Sequence, residues 1–238
     1  MGLAPDGARV TLHRFFVAPD VMRGERFPLP EAIAHQVNRV LRLQDGERLV
    51  LLDGSGGAAT VRLADGACVV ELRTPAGGEP VHRLVIWQAL LRGDHLEPVI
   101  RHGTEIGVAA FRLFVSERCV AREISPRRLE RLQAVAREAA EQSERGMVPP
   151  VAAPRPLRDA LEPPSVLLYE RAVGPRLGSL TPPSSLVIGP EGGFSPGEVA
   201  AAEQSGMTVA GLGPRILRSE SVALAAAAVV LSRSGDFA

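Results

Sequence analysis

The stretch Leu186-Val-Ile-Gly-Pro-Glu-Gly-Gly-Phe-Ser-Pro-Gly-Glu198 joins a short apolar strand, a glycine-rich loop and the start of a helix. A second stretch, Leu212-Gly-Pro-Arg-Ile-Leu-Arg-Ser-Glu220, again follows a strand with glycine and proline. Loops of this kind lie at the carboxyl edge of a parallel sheet, where open α/β folds bind their ligands. We therefore expect the two loops to line one small-molecule pocket built largely from main-chain groups.

The first loop is not a phosphate-binding P-loop, because the lysine and Ser/Thr of that motif are absent. Ser195, Pro196 and Glu198 form a capping-box pattern, which occupies the helix N-terminus with protein groups and disfavours a phosphate there. The free amides and carbonyls of residues 189–193 suit an uncharged purine edge or an amino-acid headgroup instead.

The second loop carries two apolar residues between two arginines. Ile216 and Leu217 are candidates for the wall of an adenine site. Arg215 and Arg218 could hold a phosphate or orient a base. Glu220 could pair with either arginine or accept a proton. Each arginine alone would more commonly form a surface ion pair, so the interpretation depends on the two loops together.

The composition excludes several classes of protein. The 27 basic residues, all arginine, balance 27 acidic residues, so no global basic footprint for nucleic acid is visible. Cys68 and Cys119 are isolated and match no metal-ligand spacing, which favours a reduced cytoplasmic setting and no metal. No apolar run reaches the length of a membrane span.

Residues 10–74 alternate short strands with close turns, at residues 13–17, 48–52, 59–63 and 68–72, and predict a small β-barrel. The apolar residues of 29–40 have helical spacing. His35, Arg39 and Arg42 lie on or beside this short helix and form a basic face, which either contacts RNA or is only solvated. Residues 54–59 fit the dinucleotide fingerprint G-x-G-x-x-A, but a strand follows them rather than a helix, which predicts a hairpin.

Beyond a linker at residues 75–80, strands alternate with helices. The strands are predicted at residues 84–89, 108–115, 166–169, 186–188 and 207–212, and the alternation indicates a mainly parallel sheet covered on both faces. Residues 127–142 form an amphipathic helix. Residues 221–231 are apolar around the whole helix, so they must be buried in the core or against another subunit. The proline-rich residues 149–164 are expected to form a surface connection.

At the two loops the chain resembles the bacterial enzymes that methylate N3 of a uridine in 16S ribosomal RNA, which are SPOUT methyltransferases with an N-terminal PUA-like domain. The residues that carry this resemblance are 188–194 and 212–218, with further similarity at residues 35–46, 104–108, 116–118 and 138–143. The chain has Ser219, Ser221 and Val222 where the family usually has Thr, Thr and Ala, and His102 replaces a family lysine.

The resemblance implies an α/β fold: a SPOUT-type parallel sheet with a C-terminal trefoil knot over residues 80–238, preceded by a small PUA-like β-barrel over residues 1–75 that grips RNA. It also implies S-adenosyl-L-methionine as the methyl donor, 16S rRNA or the small ribosomal subunit as the substrate, a homodimer and a cytoplasmic location. The sequence departures leave an alternative open, a non-catalytic RNA-binding factor for ribosome assembly on the same fold.

Three sets of candidate residues follow. Arg218 and Glu220 are the predicted catalytic pair, with Arg218 stabilising charge on the uridine and Glu220 holding Arg218 or relaying a proton. The predicted cofactor-binding residues are Leu168, Tyr169, Ile188, Gly189, Pro190, Glu191, Gly192, Gly193, Leu212, Gly213, Ile216 and Leu217. The predicted RNA-binding residues are Arg14, His35, Arg39, Arg42 and Arg215.

Overall fold

The computed structural model describes residues 12–237 and divides into two compact units. The first unit extends to Glu79 and also contains Glu144–Val148, while the second contains Pro80–Ser143 and the chain from Pro149 onwards. The predicted linker therefore contains the first crossing between the units. The return of residues 144–148 to the first unit was not predicted.

The first unit is a five-stranded sheet. Its strands are β1 (Arg14–Phe16), β2 (Arg26–Pro28), β3 (Arg48–Leu52), β4 (Gly57–Ala64) and β5 (Ala67–Pro75). They lie in the order β1-β3-β4-β5-β2, with β1 parallel to β3 and the other pairs antiparallel. The sequence analysis missed β2, which is too short to show an alternating pattern. Closure of the sheet into a barrel stays a prediction.

A short helix, α1 (Glu31–His35), continues into a π-helical turn at Gln36–Val40. Ile33 and Val37, one turn apart, are buried in the core of this unit together with Phe15 and Leu51. Cys68 is fully buried in the same core, and burial raises the pKa of its thiol to about 11. The cysteine is therefore a protonated core residue, as its position in a strand predicted.

The glycine-rich residues between β3 and β4 form a hairpin, because the two strands pair antiparallel. The Asp53 carboxylate accepts hydrogen bonds from the amides of Ser55 and Gly57, both at 2.8 Å. Burial raises the pKa of Asp53, but hydrogen bonds from Gly57, Ser55 and Gly56 outweigh it and hold the pKa below its usual value. The hairpin predicted for these residues is confirmed.

The second unit contains a six-stranded sheet in which every neighbouring pair is parallel. Its strands are β6 (Val85–Ala89), β7 (Ala110–Val115), β8 (Val151–Pro156), β9 (Ser165–Leu168), β10 (Ser185–Ile188) and β11 (Thr208–Ala210), in the order β11-β9-β10-β6-β7-β8. The predicted α/β class with a parallel sheet is confirmed. The trefoil knot stays a prediction.

The expectation that residues 149–164 form a surface connection is wrong. They contain β8 and a 3-10 helix at Leu157–Ala160. The sequence analysis did not predict this strand because it contains Pro154 and Pro156, and proline donates no hydrogen bond to a sheet. Strand β8 is at the edge of the sheet and forms main-chain hydrogen bonds with one neighbouring strand only, β7. Proline is tolerated at such an edge.

The helices of this unit are α2 (Leu96–Glu105), α3 (Pro126–Gln142), α4 (Pro196–Gln204) and α5 (Ser219–Arg233). Helix α2 packs against α3 and α5, and α4 packs against β11. Within α5, Ala223, Ala227 and Val230 are buried whereas Leu224 is 38% exposed, so one side of this apolar helix is left uncovered. Among residues 12–237 no helix has the length and hydropathy to cross a membrane.

Candidate active site

A cavity of about 600 Å³ lies at the carboxyl ends of β9, β10 and β11. The structure brings all twelve predicted cofactor-binding residues to its wall, together with Arg215, Arg218 and Glu220. Six further residues line it: Arg92, His95, Glu170, Phe194, Ser219 and Val222. Because parallel strands end at one edge, loops that are separated in the sequence converge here.

The loop after β10 is shaped by its glycines. The Gly193 amide donates to the Pro190 carbonyl at 2.9 Å, and Gly193 has a φ of +68°, which disfavours any side chain. A Cβ at Gly193 would lie 3.3 Å from the Glu170 carboxylate, and one at Gly189 would lie 3.1 Å from the Phe194 ring. The glycines therefore leave space that other residues would fill.

The helix after this loop begins as the sequence predicted. Ser195 accepts a hydrogen bond from the Glu198 amide, and the Glu198 carboxylate accepts one from the Ser195 amide at 2.9 Å. Phe194 is 1% exposed and stacks on Phe114, with ring centroids 6.3 Å apart. The cap and the stacked ring fix the end of the loop, whose residues 189–193 line the cavity.

Buried hydrogen bonds connect the two loops. The Ser219 hydroxyl donates to the Gly189 carbonyl at 2.6 Å, and the Gln88 amide group donates to the Ser219 oxygen at 2.9 Å. Gln88 is fully buried at the end of β6, and its Oε1 atom has no hydrogen-bond partner among the described residues. This network ties β6, the loop after β10 and the start of α5 to one another.

Two arginines that the sequence analysis did not single out support the first loop. The Glu191 carboxylate accepts a hydrogen bond from the Arg92 amide at 2.9 Å and lies 3.8 Å from the Arg92 Nε. The Arg118 guanidinium donates to the Gly192 carbonyl at 3.1 Å. Arg92 follows β6 and Arg118 follows β7, so both come from strand ends at the same edge of the sheet.

The second loop is held at its base and exposed at its tip. Gly211 exchanges main-chain hydrogen bonds with Pro175 and Leu177, and Arg176 donates to the Gly213 carbonyl at 2.9 Å. Beyond that point Ile216 is 81% exposed. Within residues 12–237 the guanidinium groups of Arg215 and Arg218 form no ion pair or hydrogen bond, and both side chains remain available to a ligand.

Glu220 pairs with neither arginine, so of the two roles considered for it the structure contradicts the ion pair and leaves the proton acceptor as a prediction. Its carboxylate lies 3.3 Å from Nδ1 of His95, the residue before α2. The Glu220 side chain is 17% exposed and that of His95 is 47% exposed. His95 was missed, although it follows the end of β6 and the same strand-edge argument would have found it.

Four of the five predicted RNA-binding residues lie in the first unit. Arg14 donates to the Glu144 carbonyl at 3.2 Å and is partly buried. His35 and Arg39 are exposed one helical turn apart, and Arg42 follows them with a φ of +57°. Arg215 lies in the second unit, at the cavity. No group of three or more potential metal ligands is found in the described part of the chain.

Known protein families match both units of this chain. A family model described as an RNA methyltransferase domain matches residues 78–231, and one described as an RNA methyltransferase PUA domain matches residues 38–72. The chain belongs to the RNA methyltransferase family. The first match covers the cavity and every strand around it, and the second lies within the five-stranded unit.

Curated relatives of this family member include ribosomal RNA small subunit methyltransferase E of Synechocystis sp., which is 35% identical over 88% of this chain and 74% of that protein. The enzyme of the same name from Bacillus subtilis is 31% identical over 92% of this chain and 96% of that protein. A crystal structure of the Neisseria gonorrhoeae enzyme bound to S-adenosyl methionine has a TM-score of 0.84 and 30% identity, covering 93% of this chain and 98% of that one.

Proposed function

We propose that this protein transfers a methyl group from S-adenosyl-L-methionine to N3 of a uridine in 16S ribosomal RNA, in the cytoplasm. The observation that carries the proposal is the cavity at the sheet edge, where glycine main chain and apolar side chains meet Arg215 and Arg218, two arginines whose guanidinium groups have no partner among residues 12–237. The names of the relatives support the cofactor and the ribosomal substrate, while the choice of uridine N3 rests on the resemblance of the two loops.

The residues present suit the cofactor. The cavity of about 600 Å³ is within the ordinary range for small-molecule sites, roughly 300–1,000 Å³. Leu168, Ile188 and Leu217 offer apolar contacts for an adenine ring, and the Gly189–Gly193 segment offers main-chain donors and acceptors without side chains in the way. When bound, S-adenosyl-L-methionine supplies an electrophilic methyl group on a positively charged sulfur.

Arg218 is proposed to act on the acceptor base. Uridine N3 carries a proton at neutral pH, and the two flanking carbonyl oxygens gain negative charge as that proton leaves. Arg218 lines the cavity and its guanidinium has no partner among the described residues, so it is free to stabilise that charge. Because Glu220 faces His95, Arg218 is not held by the carboxylate that the sequence suggested.

The first unit is proposed to grip the RNA as a PUA-like barrel. His35, Arg39 and Arg42 are exposed and offer cationic or hydrogen-bonding groups to phosphates. Arg14 and, at the cavity, Arg215 complete the proposed set. Replacing Arg39 with alanine is expected to weaken RNA binding and to lessen its salt dependence, as the loss of one phosphate contact does.

A homodimer is proposed from helix α5. Leu224 is exposed on it and Val222, Ala225 and Val229 are half-buried, which leaves an apolar strip open to a second copy. Light scattering at micromolar concentration is expected to give twice the mass of the chain, and Leu224→Glu is expected to halve it. A wild-type protein that stays monomeric would contradict this part of the proposal.

The decisive experiment measures transfer of labelled methyl from S-adenosyl-L-methionine to small ribosomal subunits and to free 16S RNA. Nucleoside mass spectrometry is expected to identify N3-methyluridine in the product. Label in another base or atom would overturn the assignment of uridine N3. A protein that binds the RNA and the cofactor but transfers no label would instead fit an assembly factor on the same fold.

A further inference from the structure

We propose that His95 is the base that removes the N3 proton, and that Glu220 is the positioning residue that orients its ring. The inference rests on the proposed function, since it needs an acceptor whose proton must leave before methylation. It changes the role of Glu220 from a partner of Arg218 to a partner of His95. It also adds a catalytic residue that neither the loop motifs nor the family comparisons single out.

The contact between the two side chains decides which ring nitrogen is free. A carboxylate only accepts hydrogen bonds, so Nδ1 of His95 must carry the hydrogen that points to Oε1 of Glu220 at 3.3 Å. In the neutral ring the lone pair is then on Nε2. Within residues 12–237 no protein group forms a hydrogen bond with Nε2, so the atom that can accept a proton is available to a substrate.

The two residues are placed for these roles by the fold. His95 immediately precedes α2, and Glu220 is in the first turn of α5, where a helix N-terminus favours a negatively charged side chain. Helices α2 and α5 pack against each other, which brings residues 125 positions apart into contact. Both line the cavity, and the ring is the more exposed of the two, as a group that must meet a large substrate requires.

The charges around the pair nearly cancel. The other ionisable side chains that line the cavity are Arg92, Glu170, Glu191, Arg215 and Arg218, with Tyr169 beside them. Asp94 precedes His95 in the chain, and Arg128 of α3 reaches the neighbouring Gly93 carbonyl. With arginines and glutamates in similar number, no single sign dominates. The Glu220 carboxylate is the group in direct contact with the ring.

The step balances without any further reactant. The N3–H bond breaks and its proton moves to Nε2 of His95, while the electron pair left on N3 forms the bond to the methyl carbon. The bond between that carbon and sulfur breaks, and its electron pair stays on sulfur. The resulting imidazolium faces the Glu220 carboxylate, which stabilises it, and the proton later leaves to water.

The test uses four variants of the full chain. His95→Asn keeps a donor where Nδ1–H was, so it preserves the hydrogen bond to Glu220 but removes Nε2. Turnover is expected to fall by about a hundredfold or more, the scale of a lost general base, while S-adenosylhomocysteine affinity by calorimetry changes little. The matched control is His102→Asn, because His102 also pairs with a carboxylate on α2, at 3.0 Å from Glu105, but lies outside the cavity.

Three signatures separate a base from a structural role. The wild-type rate is expected to fall at low pH, since a general base acts only in its unprotonated form. His95→Asn is expected to lose this dependence and respond to hydroxide instead. Imidazole added to His95→Ala is expected to restore part of the turnover. Nitrogen NMR of the wild type is expected to show the hydrogen of the neutral His95 ring on Nδ1, a preference that Glu220→Gln weakens.

The outcomes distinguish the two proposals. An active wild type with an equally active His95→Asn, or a His95 ring protonated on Nε2, would overturn the role of His95 and leave the proposed function intact. A parallel loss of cofactor affinity and turnover, with no rescue by imidazole, would make His95 a structural residue. A wild type that forms no N3-methyluridine would overturn the proposed function and this inference with it.

Discussion

Two loops of this protein each carry three glycines after a buried strand, but only one of them lines the cavity. We call residues 189–193 the open loop and residues 53–57 the closed loop. In the hairpin at residues 53–57 the Asp53 carboxylate occupies the main-chain donors of its own loop. The loop at residues 189–193 lines a cavity, and side chains from outside the loop donate to its main chain, Arg118 to the Gly192 carbonyl and Ser219 to the Gly189 carbonyl. Glycine content alone therefore does not indicate a ligand site. What distinguishes the two loops is whether a carboxylate of the loop itself accepts from its main-chain amides, as Asp53 does.

The largest effect on turnover is expected at Arg218, which lines the cavity together with the open loop. Arg218→Ala should reduce turnover by about a hundredfold or more, the scale of losing one charge-stabilising donor, while the affinity for S-adenosyl-L-methionine stays within a few-fold. Methyl-transfer kinetics and calorimetry measure the two quantities. Arg233→Ala, in the last turn of α5, is the control. Equal losses of binding and turnover would show that Arg218 only shapes the loop.

Filling the open loop is the next test. Gly193→Val introduces a branched side chain at a φ of +68° and against the Glu170 carboxylate. Backbone strain of this kind costs about 1–3 kcal/mol, so S-adenosylhomocysteine affinity should fall by roughly ten- to a hundredfold. Gly197→Val is the control, since a Cβ there meets only the Ser195 hydroxyl, at 3.9 Å. Undiminished affinity in Gly193→Val would remove this loop from the cofactor site.

Removing the hydrogen bond that Ser219 donates to the open loop should have a smaller effect on cofactor affinity. Ser219→Ala removes the hydrogen bond to the Gly189 carbonyl and takes away one of the Gln88 partners. A buried polar group left unsatisfied costs about 1–3 kcal/mol of unfolding free energy, and cofactor affinity should drop by a few-fold. Denaturant unfolding measures the first effect. Ser205→Ala, which loses an exposed hydrogen bond to the Ala201 carbonyl at the C-terminal end of α4, should change the free energy of unfolding by less than about 0.5 kcal/mol.

Opening the closed loop should have the smallest effect and none on the cofactor. Asp53→Asn weakens two amide contacts and should cost about 1 kcal/mol of unfolding free energy, with unchanged S-adenosylhomocysteine affinity. Because the pKa of Asp53 is lowered in the fold, its stabilisation is complete above the unfolded pKa of about 4 and is lost as the pH falls. The gap between wild type and variant should therefore narrow at acid pH. A constant gap would contradict it.

The sequence predicted the parts of this structure that depend on neighbouring residues. The strand-loop-helix pattern around Gly189 and the capping box at Ser195 are local, and convergence at a parallel sheet edge then placed twelve residues on one wall. What escaped prediction depends on distant packing. His95 meets Glu220 only because α2 packs on α5, and Ser219 meets Gln88 only because β6 lies beside β10. Strand β8 was missed because its prolines resemble those of a loop.

The segment Glu144–Val148 has a consequence for how the chain is made. Glu79 receives its partners from this segment: the Arg145 guanidinium at 2.6 Å and the Met147 amide at 3.0 Å. Arg145 is 2% exposed and the Glu79 side chain is 26% exposed, so this ion pair is partly buried, and it forms only when residue 145 is present. During synthesis the five strands of the first unit leave the ribosome long before residue 145 does. The N-terminal unit is then completed only after more than half of the chain has emerged.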